Sequence, residues 1–260
     1  MIDIHSHPLP GVDDGARSMD IAVEMCRLAA EDGTTHLVAT PHSNYVFAFD
    51  RALNLQLLAE LQEKVGEKPE LMLGCDFHLS YDNIQMCVQD SKNFTINQTC
   101  YLLVELPDQF IPEHLSRVYY DIQVAGIRPI ITHPERNMLL QRKPELLDQW
   151  VSMGCLVQVT AQSYTGGFGS RAQRFGERLL NSGMVHFFAS DAHDTTRRPP
   201  LLSPCYRKLA HEKGEEVADL IMNKNPQAVI NGQPLPPQPE WPENEGDSRK
   251  RGWFTSLFRR

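Results

Sequence analysis

No apolar run in the sequence approaches the roughly 20 residues that a membrane-spanning helix requires. The opening residues, MIDIHSH, carry neither the basic region nor the apolar core of a secretory signal. The expected compartment is therefore the cytoplasm. Cysteine is sparse: Cys26, Cys75, Cys87, Cys100, Cys155 and Cys205 form no C-x-x-C pair, which argues against a disulfide framework and against a thiolate zinc site. None has an arginine at C-x5-R spacing, so the thiolate cradle of cysteine-dependent phosphatases is missing. Positive charge is also scarce, and it is displaced to one end. Of 25 basic residues, Arg249, Lys250, Arg251, Arg259 and Arg260 fall in the last twelve positions, leaving 20 against 33 acids, a net of −13, for residues 1–248. An acidic body excludes general nucleic-acid binding, which depends on neutralising phosphates.

What is present is a chain of 260 residues, 41% apolar, long enough for one α/β barrel. Short apolar or β-branched runs recur at 1–4, 35–40, 71–77, 100–106, 128–132, 155–160 and 185–190. They predict seven strands. Between most of them lie segments with helical spacing of apolar residues: 18–33, 52–66, 112–126, 144–154 and 170–183. Ser18 is placed to cap the first, whose predicted buried face is Ile21, Met25, Leu28 and Ala29, with Gly33 as its stop. Strands alternating with helices imply a parallel sheet, and seven units suffice to close it. Residues 80–99 are ambiguous. From Pro234 the composition turns proline-rich and acidic. The expected organisation is a barrel over 1–232, an extended linker over 233–248 and a basic amphipathic tail over 249–260.

In such a barrel, functional groups gather at the C-terminal ends of the strands. Strand one is followed by His5 and His7, strand two by His42, strand three by Asp76, strand four by Glu105, strand five by His133, and strand seven by Asp191 and His193. Only strand six, VQVTAQS, offers no ionisable side chain. His5 and His7 are two apart, which puts them on one strand face with Ile2 and Ile4 on the other. Imidazole and carboxylate suit zinc, manganese or iron, and there are too many candidates for one ion. A cluster of two or three metals is expected. In the turn G-V-D-D-G, either Asp13 or Asp14 is a further candidate ligand, although aspartate is common in turns for local reasons. His36, His78, His114, His186 and His211 lack strand-end placement and are read as ordinary histidines. Cys75 adjoins Asp76 but is expected to face the other way.

The motifs HSHPLPGVDDG, ATPH, GCD, VELP, THPERN and ASDAH resemble, in that order, those of the bacterial PHP-domain phosphoesterases. The resemblance is nearest to the tyrosine-protein phosphatase branch of capsule and exopolysaccharide regulators (CpsB/YwqE-like), and it covers residues 1 to about 230. It implies a distorted (β/α)7 barrel. It also implies one metal held by His5, His7, Asp76 and Asp191, a second by His42, His193 and Asp14, and a third by Asp76, Glu105 and His133. Manganese is the expected ion, with iron or zinc as alternatives. Asp76 would bridge two ions where the family has glutamate, one methylene longer. Arg136 and Arg198 match the family's phosphate-contacting arginines, with Arg197 competing for the second role. Guanidinium suits phosphate because it binds two oxygens at once.

The implied activity is a metal-dependent phosphoric monoester hydrolase, a protein-tyrosine phosphatase in which a metal-bridging hydroxide attacks phosphorus directly. Tyrosyl oxygen, with a pKa of about 10, leaves with little acid assistance. The expected partner is a phosphotyrosine protein, a bacterial tyrosine kinase controlling polysaccharide synthesis. In the tail, Trp253, Phe254, Leu257 and Phe258 share one helical face between arginines, a pattern suited to an anionic membrane surface or a partner groove. It would hold the enzyme at the inner face of the membrane; the alternative is a solvated end. Two other functions compete: a PHP phosphatase of a small metabolite such as histidinol phosphate, and a catalytically inert binding module.

Overall fold

The computed structural model describes residues 1–79, 84, 90–107 and 110–239. Residues 80–83 and 85–89 of the ambiguous 80–99 stretch, residues 240–248 of the expected linker and the whole 249–260 tail lie outside the described residues. The strands are β1 (Ile2–Ser6), β2 (His36–Ala39), β3 (His42–Ser43), β4 (Glu70–Leu73), β5 (Asp76–His78), β6 (Tyr101–Glu105), β7 (Arg128–Thr132), β8 (Leu156–Thr160) and β9 (Phe187–Ala189). They form two all-parallel ladders, β1-β2-β4 and β3-β5-β6-β7-β8-β9.

The nine segments occupy seven strand positions. The expected third strand is interrupted at Gly74–Cys75, and β3 follows β2 across Pro41, which has no N–H to donate. Pairing bridges both breaks, because Gly74 N–H reaches the Ala39 carbonyl at 2.8 Å and Asp76 N–H reaches that of Pro41 at 3.2 Å. A Cβ at position 74 would stand 3.2 Å from both Ile96 and Val38 and 3.3 Å from Thr40. Glycine fits where a side chain would crowd. The ring closes between its first and last strands, through Asp191 N–H to the His5 carbonyl (2.8 Å), His7 N–H to the Ala192 carbonyl (2.9 Å) and a parallel bridge Ser6–Ala192. This is the distorted seven-unit barrel.

Helix α1 (Met19–Glu31) is capped by Ser18, which accepts from Ile21 N–H. Its buried stripe is Ala22, Met25, Cys26 and Ala29, so the expected face is rotated slightly, leaving Ile21 and Leu28 at the margin. Helices α2 (Arg51–Val65), α3 (Leu115–Val124), α5 (Pro144–Ser152) and α7 (Gly169–Asn181) fall where apolar spacing placed them. The spacing analysis did not anticipate α4 (Met138–Arg142), α6 (Ala161–Tyr164), α8 (Ser203–Lys213), or α9 (Glu215–Asp219) leading through a π-helical turn to α10 (Asn225–Ile230). No described helix is long and apolar enough to cross a membrane.

Side chains alternate along each strand, and each face has its own core. Leu102, Val104, Ile131, Val157, Val159 and Phe188 pack outward against Leu115, Tyr119, Trp150 and Leu179 of the helices. Cys75 and Phe77 belong to this outer layer, opposite Asp76. Tyr101, Leu103, Ile130, Leu156, Phe187 and Ala189 pack inside the ring, where Val229 and Ile230 of α10 close the N-terminal end. Ile2 and Ile4 also join this interior cluster, which corrects the expectation that they face away from the histidines. The reason is a bulge in β1: residues 3 to 6 span the same ladder as 37 to 39, three steps against two. One extra residue lets Ile4 and then His5 both turn inward. Past α10 the chain lies on the barrel, with the Tyr101 hydroxyl donating to the Gln233 carbonyl at 2.6 Å and Gln238 exchanging two 3.1 Å hydrogen bonds with Asn225.

Candidate metal centre

The next inward position on each strand, one step beyond the apolar interior, is polar. Leu103 is followed by Glu105, Ile130 by Thr132, Leu156 by Gln158 and Ala189 by Asp191. His42 and Asp76 occupy the equivalent places on β3 and β5 and pair directly in register. At two strand ends the backbone enters the left-handed region, with φ of 34° at His133 and 51° at Asp191. Such backbone is costly for a residue with a Cβ and here turns both side chains into the ring.

The structure brings all nine expected ligands together. His5 Nε2 lies 3.2 Å from His7 Nε2 and 3.5 Å from both Asp76 Oδ2 and Asp191 Oδ1. His7 Nε2 is 3.4 Å from Asp191 Oδ1. Asp14 Oδ1 is 3.3 Å from His42 Nε2 and 3.4 Å from His193 Nε2. His42 Nδ1 stands 3.3 Å from Asp76 Oδ2 and 3.5 Å from Glu105 Oε2, while His133 Nε2 is 3.7 Å from Glu105 Oε1 and 4.0 Å from Asp76 Oδ2. Among the described residues, four overlapping groups could each hold an ion: His7, Asp14, His42 and His193; His5, His7 and Asp76; His5, His133 and Asp191; and His42, Asp76 and Glu105. The partition differs from the one the resemblance implies, since His133 also groups with His5 and Asp191, and His42 with Asp76 and Glu105.

These residues fit divalent metals on their own geometry. Ligands about 2.1 Å from a common ion stand roughly 3.0–3.4 Å apart at octahedral to tetrahedral angles, close to the separations seen. Asp76 Oδ2 and His42 Nδ1 are buried, face each other and have no hydrogen-bond partner, a cost that an ion between them would remove.

Electrostatics agree with that chemistry. Burial opposes ionisation of Asp76 and Asp191, yet His5 beside the first and Arg136 and His5 beside the second hold both well below the carboxylate range. Burial and the charge of Asp76 push Glu105 up to about 8. Burial disfavours a charged His5 or His42, but Asp76 and Asp191 raise the first to about 9, and Asp14, Asp76 and Glu105 raise the second to about 11. Burial lowers His133 and His193 to about 4, aided by Arg136 and His7 respectively.

Arg136 and Arg198 border the cluster, each with Nη2 2.6 Å from Asp191 Oδ2. Both guanidinium carbons lie over the Phe168 ring, at 5.0 and 5.7 Å from its centroid, an attractive arrangement for a cation. Arg197 is exposed, and its carbonyl accepts from Gln162. The five histidines read as ordinary join none of the four groups. His186 sits at the opposite end of the barrel, accepting from Val157 N–H, and His36 pairs with Glu70 at 3.5 Å.

Several supporting residues escaped the sequence reading, and Asp13, read there as an alternative ligand to Asp14, takes a supporting place. Gln158 Oε1 lies 3.0 Å from His5 Nδ1, leaving Nε2 toward the cluster; strand six thus contributes a neutral partner. Asp13 Oδ2 is 2.7 Å from His7 Nδ1 and accepts from His42 N–H, so adjacent aspartates take different places: Asp13 behind a histidine, Asp14 within the cluster. Such outer partners fix ring orientation and tautomer. Asp3 accepts from Ser190 N–H and its hydroxyl, tying β1 to β9. Glu135 accepts from Thr160 N–H, and Asn137 caps α4 and donates to the Pro107 carbonyl. The detectable signals were the inward period of β8 for Gln158 and turn chemistry for Asp13; nothing local marked Phe168.

Comparison with known proteins adds a family. The sequence model of the capsular polysaccharide synthesis family CpsB/CapC matches residues 1–231. The tyrosine-protein phosphatase YwqE of Bacillus subtilis is 31% identical over 246 residues, 92% of this chain and 96% of that protein. The putative tyrosine-protein phosphatase CapC of Staphylococcus aureus is 36% identical over 218 residues, 80% of this chain and 84% of its own. A crystal structure from work on YwqE from Bacillus subtilis and CpsB from Streptococcus pneumoniae, described as metal-dependent tyrosine phosphatases, matches with a TM-score of 0.85 at 31% identity, covering 92% of this chain and 99% of that one.

Proposed function

We propose that this chain, which belongs to the CpsB/CapC capsular polysaccharide synthesis family, is a metal-dependent protein-tyrosine phosphatase. The observation that carries the reading is the meeting of a buried imidazole and carboxylate cluster with two guanidinium groups at Asp191. We assign His5, His7, Asp14, His42, Asp76, Glu105, His133, Asp191 and His193 as ligands of two or three divalent ions, manganese first, with iron or zinc as alternatives. Bound there, the ions would supply charge neutralisation and water activated near neutral pH. Arg136 and Arg198 bind the phosphoryl oxygens and hold phosphorus in line. Gln158 and Asp13 keep His5 and His7 oriented with Nε2 inward. The buried cysteines Cys26, Cys155 and Cys205 have thiols pushed up by burial, which suits packing and not nucleophilic attack.

The proposed substrate is a phosphotyrosine protein, with a bacterial tyrosine kinase of polysaccharide synthesis as the partner. The name of the relatives supports that choice, and the basic apolar composition of 249–260 supports a cytoplasmic site of action at the inner face of the membrane. The test is kinetic. Hydrolysis of phosphotyrosyl peptides should exceed that of histidinol phosphate, survive thiol alkylation and disappear with EDTA. Preference for histidinol phosphate, or loss on alkylation with persistence in EDTA, overturns the reading.

A further inference from the structure

Exposed apolar side chains are unevenly placed on this protein. Among the described residues nine large ones are exposed. Leu53, Leu55, Tyr120 and Val124 lie on the flanks of α2 and α3, as scattered surface residues commonly do. Of the other five, Tyr45, Val46, Phe110 and Leu201 lie in the loops directly after β3, β6 and β9, and Met138 opens α4 after β7. Those same connections leave from, or contain, His42, Glu105, Arg136 and Arg198.

The first of them is a closely hydrogen-bonded turn. Asn44 Oδ1 accepts from Val46 N–H (2.8 Å) and Phe47 N–H (2.9 Å), and Asn44 N–H donates to the Phe47 carbonyl at 3.0 Å. The Phe47 ring stacks on His42, centroids 6.1 Å apart and planes 17° apart. The turn is thus fastened to a candidate ligand and holds Tyr45 and Val46 in solvent, 94% and 61% exposed. The turn thereby displays two adjacent apolar side chains beside a polar, charged pocket.

We propose that Tyr45 and Val46, at the tip of this turn beside His42, form an apolar rim that docks the polypeptide flanking a phosphotyrosine, and that the rim selects apolar flanking residues. This rests on the phosphatase reading and specifies its substrate. A phosphotyrosyl segment presents an anionic head to the polar pocket and apolar side chains to its border; a small phosphorylated metabolite ends inside the pocket and leaves the rim unused.

The experiment is a split of substrates in the full-length, metal-loaded protein. For Tyr45→Ser/Val46→Ser, kcat/KM on a phosphotyrosyl peptide with leucines at the flanking positions should fall about tenfold, mostly through KM. The rate on p-nitrophenyl phosphate should stay within twofold, as should that on the same peptide with serine flanks. Equal loss on all three substrates, or no loss on any, overturns the rim. So does a change of sedimentation coefficient in the variant, which would make the turn a contact between copies. Absence of wild-type activity on peptide and p-nitrophenyl phosphate alike removes the phosphatase reading itself, a result distinct from a wild type that is active without flank preference.

Discussion

The inside of the barrel has two storeys built from the same strands. In the lower one Tyr101, Leu103, Ile130, Leu156, Phe187 and Ala189 fill the ring around α10; in the upper one, further along the same strands, stand Glu105, Thr132, Gln158 and Asp191, with His42 and Asp76 from other strands. The lower storey supplies apolar burial at about 25 cal/mol per Å². The upper storey buries charge that only partners or ions can compensate. A single inward step along a strand separates the groups that hold the fold from those proposed to do chemistry, so the two should be separable by mutation.

The sharpest way to separate them is Phe187→Ala. Phe187 is fully buried in the lower storey, and its truncation should cost about 3–5 kcal/mol, read as a lower urea midpoint, while kcat of the remaining folded protein stays near wild type. Arg136→Ala should do the opposite: activity falls about 10²–10³-fold, the scale of one lost transition-state donor, with metal content retained by mass spectrometry. Full activity in that variant would remove Arg136 from phosphate binding. Gln158→Leu lies at the boundary. Losing the partner of His5 Nδ1 should weaken metal affinity about tenfold, measured by competition with a chromogenic chelator, with little change in fold.

The smallest expected effect is on pH dependence. In protein treated with EDTA, His5 (about 9), His42 (about 11) and Glu105 (about 8) all have folded pKa values above their ordinary ones. The stability they contribute is complete below the unfolded values and is lost as pH rises through the folded ones. His133 and His193, lowered to about 4, act in the reverse sense, and their contribution is lost as pH falls from about 6.5. The thermal midpoint of the metal-free protein should therefore peak near neutrality and drop toward pH 9, and metal addition should raise it more at pH 9 than at pH 6.5. A metal-free midpoint that climbs between these values contradicts the electrostatic description of the upper storey.

Much of this was legible in the sequence because strand ends in an α/β barrel converge whatever the connections do. The alternation of apolar runs located the strand positions, and eight of the nine candidate ligands stand at or shortly beyond the ends of those runs, with Asp14 in the turn that follows the first. What was illegible depended on partners distant in sequence. Ile4 and His5 both face inward only because β1 bulges against β2, and strict alternation misplaced the isoleucines. Gly74 interrupts a strand at a place where close packing, not propensity, decides. Asp13 and Asp14 are equivalent as turn residues and differ only once His7, His42 and His193 surround them. Phe168 acquires meaning from two arginines brought over it by other loops. The helices of 215–230 are short pieces around a π turn, too brief for apolar spacing to reveal.

The closure of the ring between β1 and β9 carries a last consequence. Asp3 and Ser190, which tie the seam, are 187 positions apart, and His5, His7 and Asp191 meet across that same seam. An ion held jointly by them would act as a clasp, closing a loop that contains most of the chain. That shared ion could be held only once the last strand is in place: strand one emerges first, yet a site joining His5 to Asp191 waits for the final strand, so loading of that one ion would report closure of the seam.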